Sequence, residues 1–233
     1  GLNRFETSLK SWIDDEKVAL EFVSLVGTLF LDKNVELILF RSQLIDRSAS
    51  VVLYKHSYAT NIVGYPLDIR NSLLIAREIA ITNITDARLD IGRLNKEWSE
   101  EQNNYKDVGE FVRDKLKDGI GHEPSFSEPR DVVLFGFGRI GRLLLRELII
   151  QGNGSQLRVR AVVTRKVTDE DIEKRAALIR HDSVHGPFRG NVITDIENRS
   201  ILVNGNVVKM IEGSTPEEID YEKEGIKNAL LID

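Results

Sequence analysis

The strongest constraint on this chain is a glycine triplet set between two apolar runs, in Val132-Val133-Leu134-Phe135-Gly136-Phe137-Gly138-Arg139-Ile140-Gly141-Arg142-Leu143-Leu144-Leu145. The valine-containing run, preceded by Asp131, reads as a buried strand, and the leucine-rich run reads as a helix. G-x-G-x-x-G in that setting divides three steric tasks. Gly136 permits the tight turn, Gly138 lets a diphosphate approach the backbone, and Gly141 lets the helix lie close on the sheet. The diphosphate of a dinucleotide would then meet the free N–H groups and the positive dipole end of the new helix. Ordinary turns and kinase phosphate loops also carry such triplets. The kinase reading needs H-R-D and D-F-G as well, and neither triplet occurs.

Composition narrows the class. The 233 residues suffice for one large domain or two modest ones, and 41% hydrophobic with 30% charged residues is ordinary globular composition. A formal net charge of −5 leaves no electrostatic footprint for nucleic acid or an anionic membrane, so neither is expected as a partner. No apolar run approaches the roughly 20 residues a membrane-spanning helix needs, and the expected location is the cytoplasm. Cysteine is absent, which removes disulfides, thiolate metal sites and a cysteine nucleophile from these residues.

Residues 1–121 read almost wholly as helix and are expected to form an all-α helical domain. Trp12, Ile13, Val18, Leu20, Phe22, Val23, Val26 and Leu29 recur at helical spacing, and a further apolar series runs from Val35 to Tyr58. Asp68 can cap a helix through Leu73, Ile75 and Ile79, and further helices are expected over Arg88 to Gln102 and Tyr105 to Leu116. Residues 122–130, with Pro124 and Pro129 among polar residues, read as a linker.

From 131 to 233 the pattern is α/β. Gly152-Asn153-Gly154 closes the helix after the glycine turn, Leu157 to Val163 reads as a strand, and Thr168 can cap the next helix above Asp169, Glu170 and Asp171. Short strands follow at Asn191 to Ile196 and Ser200 to Val203, Asn204-Gly205 signals a hairpin into Val207 to Ile211, and Asn228 to Ile232 is a last apolar strand. Thr215-Pro216-Glu217-Glu218 carries helix-start signals. The fold class is thus an α/β Rossmann-type nucleotide-binding domain, incomplete as read, preceded by the helical domain.

Three motifs in one order, Gly136-Phe137-Gly138-Arg139-Ile140-Gly141-Arg142, Asp182-Ser183-Val184-His185-Gly186-Pro187-Phe188, and Val203-Asn204-Gly205 followed by Pro216 and Ile219, resemble phosphorylating glyceraldehyde-3-phosphate dehydrogenase. The resemblance covers Asp131 to Asp233, and from Leu9 onward the first part is similar to the helical extension of long variants. It implies oxidation of a triose aldehyde through a thiohemiacetal, hydride transfer to NAD or NADP, and release of an acyl phosphate, in a homo-oligomer, a tetramer by resemblance. The cysteine and histidine of that chemistry, and the substrate-phosphate residues, are expected beyond the strand at Ile232. None of His56, His122, His181 and His185 stands in for the base.

By motif, Gly136, Phe137, Gly138, Arg139, Ile140 and Gly141 are the candidate cofactor residues at the diphosphate. Phe135 stands where the family usually has asparagine. The acid expected to bind the adenosine ribose about 20 residues past the glycines falls at Thr164-Arg165-Lys166, where no carboxylate occurs before Asp169. Thr164 and Arg165 are therefore candidate ribose residues, with Arg165 and Lys166 suited to a 2′-phosphate. The resemblance places Gly213 beside the adenine. Asp182, Ser183 and His185 lie too close in sequence to converge as a hydrolytic triad and read as a structural loop. Two rival functions remain: a dehydrogenase of erythrose 4-phosphate, and a non-catalytic NAD(P)-sensing adaptor using the helical part for interaction.

Overall fold

The computed structural model describes residues 2–118, 129–152, 157–183 and 186–233, and the chain divides into two compact units, Gly1–Ser125 and Phe126–Asp233. Residues 122–128 of the expected linker, together with Asn153, Gly154, Val184 and His185, lie outside the described residues. No described helix is long and apolar enough to cross a membrane.

The first unit opens with α1 (Leu2–Lys33), whose C-terminal half buries Ala19, Phe22, Val26 and Leu29 against its neighbours. Then the chain departs from an all-α reading. Asn34 takes a left-handed φ of 53°, which ends the helical path, and Val35–Leu39 forms β1 with Val35, Leu37 and Leu39 turned inward at period two. β1 turns through Phe40 and Arg41 into β2 (Ser42–Gln43), which pairs antiparallel with it. The helices α2 (Ala49–Tyr58), α3 (Thr60–Val63) and α4 (Ile69–Ile81) then carry the chain to β3 (Ala87–Asp90), parallel to β1.

The helix expected from Arg88 begins later, as α5 (Ile91–Glu101), because Asp90 has extended backbone and its carboxylate accepts from the N–H groups of Gly92 and Arg93. α6 (Val108–Lys115) completes the unit. A three-stranded sheet, β2-β1-β3, thus replaces the expected all-helical packing. Its core includes Phe22, Leu37, Ile75, Ile79, Ile91 and Phe111.

A polar network crosses that core. His56 Nδ1 donates to Val52 O (2.8 Å), its Nε2 accepts from the Ser72 hydroxyl (2.7 Å), and Asn95 Nδ2 donates to Ser72 Oγ and Asp68 O (2.8 Å each). Burial holds the His56 pKa below its ordinary value, in keeping with a neutral ring that donates once and accepts once.

The second unit is built on a six-stranded sheet. β4 (Arg130–Phe135) leads through α7 (Arg139–Gly152) to β5 (Leu157–Thr164), and α8 (Asp169–Arg180) follows. Thr168 and Asp171 close a capping box at the start of α8. The small pair β6 (His181–Asp182) and β7 (Gly186–Pro187) precedes the meander β8 (Val192–Asp195), β9 (Ser200–Val203) and β10 (Asn206–Glu212), and β11 (Leu230–Ile232) ends the sheet. Asn204 (φ 48°) and Gly205 (φ 78°) make the expected tight hairpin between β9 and β10.

The sheet order is β11-β4-β5-β10-β9-β8. Its first four strands run parallel, with β4, the first in sequence, between β5 and β11. Val132, Leu134, Leu145, Ile149, Ile172 and Ile179 fill one core cluster, and Val133, Ala161, Val163 and Ile226 form another. The helix-start signals at Thr215 yield only one 3₁₀ turn, Pro216–Glu218. Thr215 gives no side-chain cap there, and Glu218 accepts from Ser214 N instead (2.8 Å).

Candidate functional site

Strand order reverses on the two sides of β4, and in open parallel sheets that switch point is where ligands bind, beyond the carboxyl ends of the strands. Two cavities lie there. One, of about 480 Å³, is lined by Gly136, Gly138, Arg139, Ile140, Gly141 and Leu144, with Ile232 across from them. The other, of about 420 Å³, is lined by Phe135, Gly136, Val163, Thr164, Arg165, Gly213 and Ser214. Phe135 and Gly136 border both.

The glycine turn has the geometry its sequence calls for. Gly136 adopts φ 84°, a conformation side chains disfavour, and its N–H donates to Val163 O (2.8 Å), fixing the turn to β5. Gly138 caps α7 by accepting from Arg142 N (3.0 Å). A Cβ on Gly138 would meet no protein atom within 4 Å, so the space over that residue is open. At Gly141 an added Cβ would lie 3.4 Å from the Gly136 carbonyl oxygen, a close approach of helix to turn. The N–H groups that a helix start leaves unpaired face this open space with a positive dipole end. A diphosphate fits that cradle.

Of the nine candidates, Gly136, Gly138, Arg139, Ile140 and Gly141 line the larger cavity, and Gly136, Thr164, Arg165 and Gly213 line the smaller. Phe137 differs. Its ring packs against the hydrophobic core rather than lining either cavity, and its carbonyl accepts from Arg142 Nη1 (3.0 Å). Thr164 Oγ1 donates to Lys166 O (3.1 Å), and Gly213 N donates to Thr164 O (3.0 Å), tying the ends of β5 and β10 together. Arg165 and Lys166 are exposed, and neither side chain forms an ion pair with a described residue.

Sequence reasoning gave no role to two further arginines. Arg142 Nε donates to Asp182 Oδ2 (2.5 Å) while holding Phe137 O, and Arg146 donates to Gly186 O and Pro187 O (3.1 Å each) below the Phe188 ring. The only sequence signal was their i, i+4 spacing on α7, which puts both on one face. Among the described residues no cluster of His, Cys, Asp and Glu could hold a metal ion.

Four parallel strands in this order, a glycine turn after the first of them in sequence and an open cradle at the following helix define a dinucleotide-binding domain of Rossmann type. Residues 130–232 match the family model for glyceraldehyde 3-phosphate dehydrogenase, NAD binding domain. The chain is 38% identical over 215 residues to a glyceraldehyde-3-phosphate dehydrogenase-like protein of Pseudomonas aeruginosa (strain UCBPP-PA14), an alignment that takes in 91% of this chain and 46% of that protein. Glyceraldehyde-3-phosphate dehydrogenases of Ajellomyces capsulatus (34% over 94 residues) and Priestia megaterium (32% over 92 residues) are similar over 40% of this chain, and each match takes in 25% of the relative. The second unit is thus similar to the NAD-binding domain of glyceraldehyde 3-phosphate dehydrogenase. The chain spans about half the length of the Pseudomonas relative and about a quarter of the others.

Proposed function

We propose that these residues form the cofactor-binding portion of a phosphorylating glyceraldehyde-3-phosphate dehydrogenase that oxidises glyceraldehyde 3-phosphate to 1,3-bisphosphoglycerate. The whole protein then acts as a homo-oligomer by resemblance to that family. The observation that carries the reading is the open cradle over Gly138 at the switch point of the sheet. When bound, a nicotinamide dinucleotide supplies the hydride acceptor. This chain's own part is to bind and orient: backbone N–H groups from Gly138 to Gly141 take the diphosphate, and the cleft between the ends of β5 and β10 takes the adenosine. The thiolate nucleophile lies outside the 233 residues, which contain no cysteine.

NADP binds at least as well as NAD in this reading. A carboxylate would repel a 2′-phosphate, and the end of β5 offers Arg165 and Lys166 in its place, with Arg165 on the wall of the smaller cavity. Calorimetric titration of the 233-residue chain with NAD and with NADP tests both parts. Saturable binding of either dinucleotide supports the cofactor site, and failure to bind both refutes it. A strong preference for NAD refutes only the role given to Arg165.

A further inference from the structure

We propose that the Asp182–Arg142 ion pair aims the Gly138 N–H at the cofactor diphosphate, which makes Asp182, at the end of β6, a working part of the dinucleotide site. The inference rests on the reading above that the cleft takes a nicotinamide dinucleotide.

The geometry turns on a single peptide group. All described peptide bonds are trans, and in a trans peptide the carbonyl and the following N–H point in opposite directions. The Phe137 carbonyl is turned toward Arg142, whose Nη1 lies 3.0 Å from it. The Gly138 N–H is therefore turned the other way, and it donates to no described residue. Gly138 itself lines the larger cavity.

That orientation is not secured by the local backbone. The peptide lies between Phe137 and a glycine, one residue past the left-handed Gly136, so a flip meets little steric resistance. A flipped peptide would present the Phe137 oxygen, an acceptor, to a diphosphate that needs donors. Arg142 removes that option by holding the oxygen. Arg142 is held in turn by Asp182, whose side chain has no solvent exposure, against 13% for Arg142. A carboxylate so placed fixes the guanidinium fork and neutralises its charge, so the arginine's contribution is direction rather than attraction. One turn along α7, Arg146 grips Gly186 O and Pro187 O, anchoring the same segment a second time. An aspartate in a stretch that reads as a structural loop thus sets the donor geometry of the cofactor turn before any ligand arrives, a form of preorganisation.

The test compares Asp182→Asn and Arg142→Lys with the parent chain. Each is titrated calorimetrically with ADP-ribose, which carries the diphosphate, and with adenosine, which does not, and thermal melts are recorded beside them. The expected result is an ADP-ribose affinity lowered by about ten- to hundredfold, the scale of losing a hydrogen bond to a charged group, with adenosine affinity unchanged within about twofold. A pair with only a structural role would weaken both ligands in parallel, or neither, and either outcome overturns the proposal. If Asp182→Asn fails to fold, Arg142→Lys still decides, because lysine keeps the charge beside Asp182 but loses the planar fork whose Nε and Nη1 fix the two acceptors in separate directions. A parent chain that binds neither ligand refutes the cofactor reading itself and the proposal with it.

Discussion

Replacing Gly138 by alanine separates a glycine kept for a ligand from one kept for the fold. Gly138 is not in the left-handed region, and an added Cβ would meet no protein atom within 4 Å. Folding should therefore ignore the substitution, with a stability change inside about 0.5 kcal/mol. Binding should not. An oxygen hydrogen-bonded to the backbone sits roughly 2.9 Å from the nitrogen, whereas a methyl carbon needs about 3.5–4 Å from a non-bonded atom. The diphosphate would have to retreat by the better part of an ångström, weakening at least one charge-assisted hydrogen bond of about 1.5–3 kcal/mol. That predicts a dinucleotide affinity about ten- to hundredfold lower. Calorimetry with NADP and a urea melt on the same preparation read the two quantities side by side. Gly213→Ala is the contrast, because its Cβ would fall 2.7 Å from Ile219 Cδ1 and 3.2 Å from Val163 Cγ1, and overpacking there should cost about 1 kcal/mol or more of stability. If Gly138→Ala melts early, or binds NADP as the parent does, the assignment of that open space to a diphosphate is wrong.

Arg165→Asp should reverse any advantage of NADP, lowering NADP affinity at least tenfold while NAD changes little, as competitive titration would show; equal loss of both cofactors would instead mark a folding defect. Phe111→Ala, at a fully buried ring packed on Trp98 and Tyr105, should destabilise the first unit by about 3–5 kcal/mol, read as a lowered urea midpoint. His56 should make the first unit acid-sensitive. Its folded pKa lies below the unfolded value near 6.5, so the unfolded chain binds the extra proton. The stabilising contribution is complete above about pH 6.5 and is lost as pH falls toward the folded pKa. Urea midpoints at pH 5.5 and 8 should differ in the parent and converge in His56→Gln once its lower overall stability is subtracted.

The two units were not equally legible in the sequence, and the difference has a physical cause. In the second unit the strands of the main sheet and the turns joining them carry their own local signals. A glycine triplet, a Thr168 to Asp171 capping box and an Asn-Gly hairpin turn are specified within a few residues, and the sheet forms around them. In the first unit Val35-Glu36-Leu37-Ile38-Leu39 lies inside a longer apolar series that runs on to Tyr58. Four apolar residues in five satisfy a helical period as readily as an alternating one. What decides between them is 48 or more residues away. β1 is a strand because β3 lies parallel to it, with Val35 opposite Ala87 and Ile38 opposite Asp90. Asp90 does double duty there, accepting from Phe40 N while it caps α5 (3.0 Å to both Phe40 N and Gly92 N).

The same distinction governs the site. Gly136, Gly138 and Gly141 are read from their own spacing, since each steric task is local. The group that orients their peptide is not local, because Asp182 reaches Arg142 across 40 positions in sequence and only the fold brings the two together. Read alone, the segment from Asp182 to Phe188 offers an Asp, a Ser and a His that invite a catalytic interpretation and then fail it on proximity. The fold instead gives its aspartate to an arginine beside the glycine turn. An aspartate that looks like reactive chemistry in sequence becomes, once folded, the support on which a binding loop is aimed.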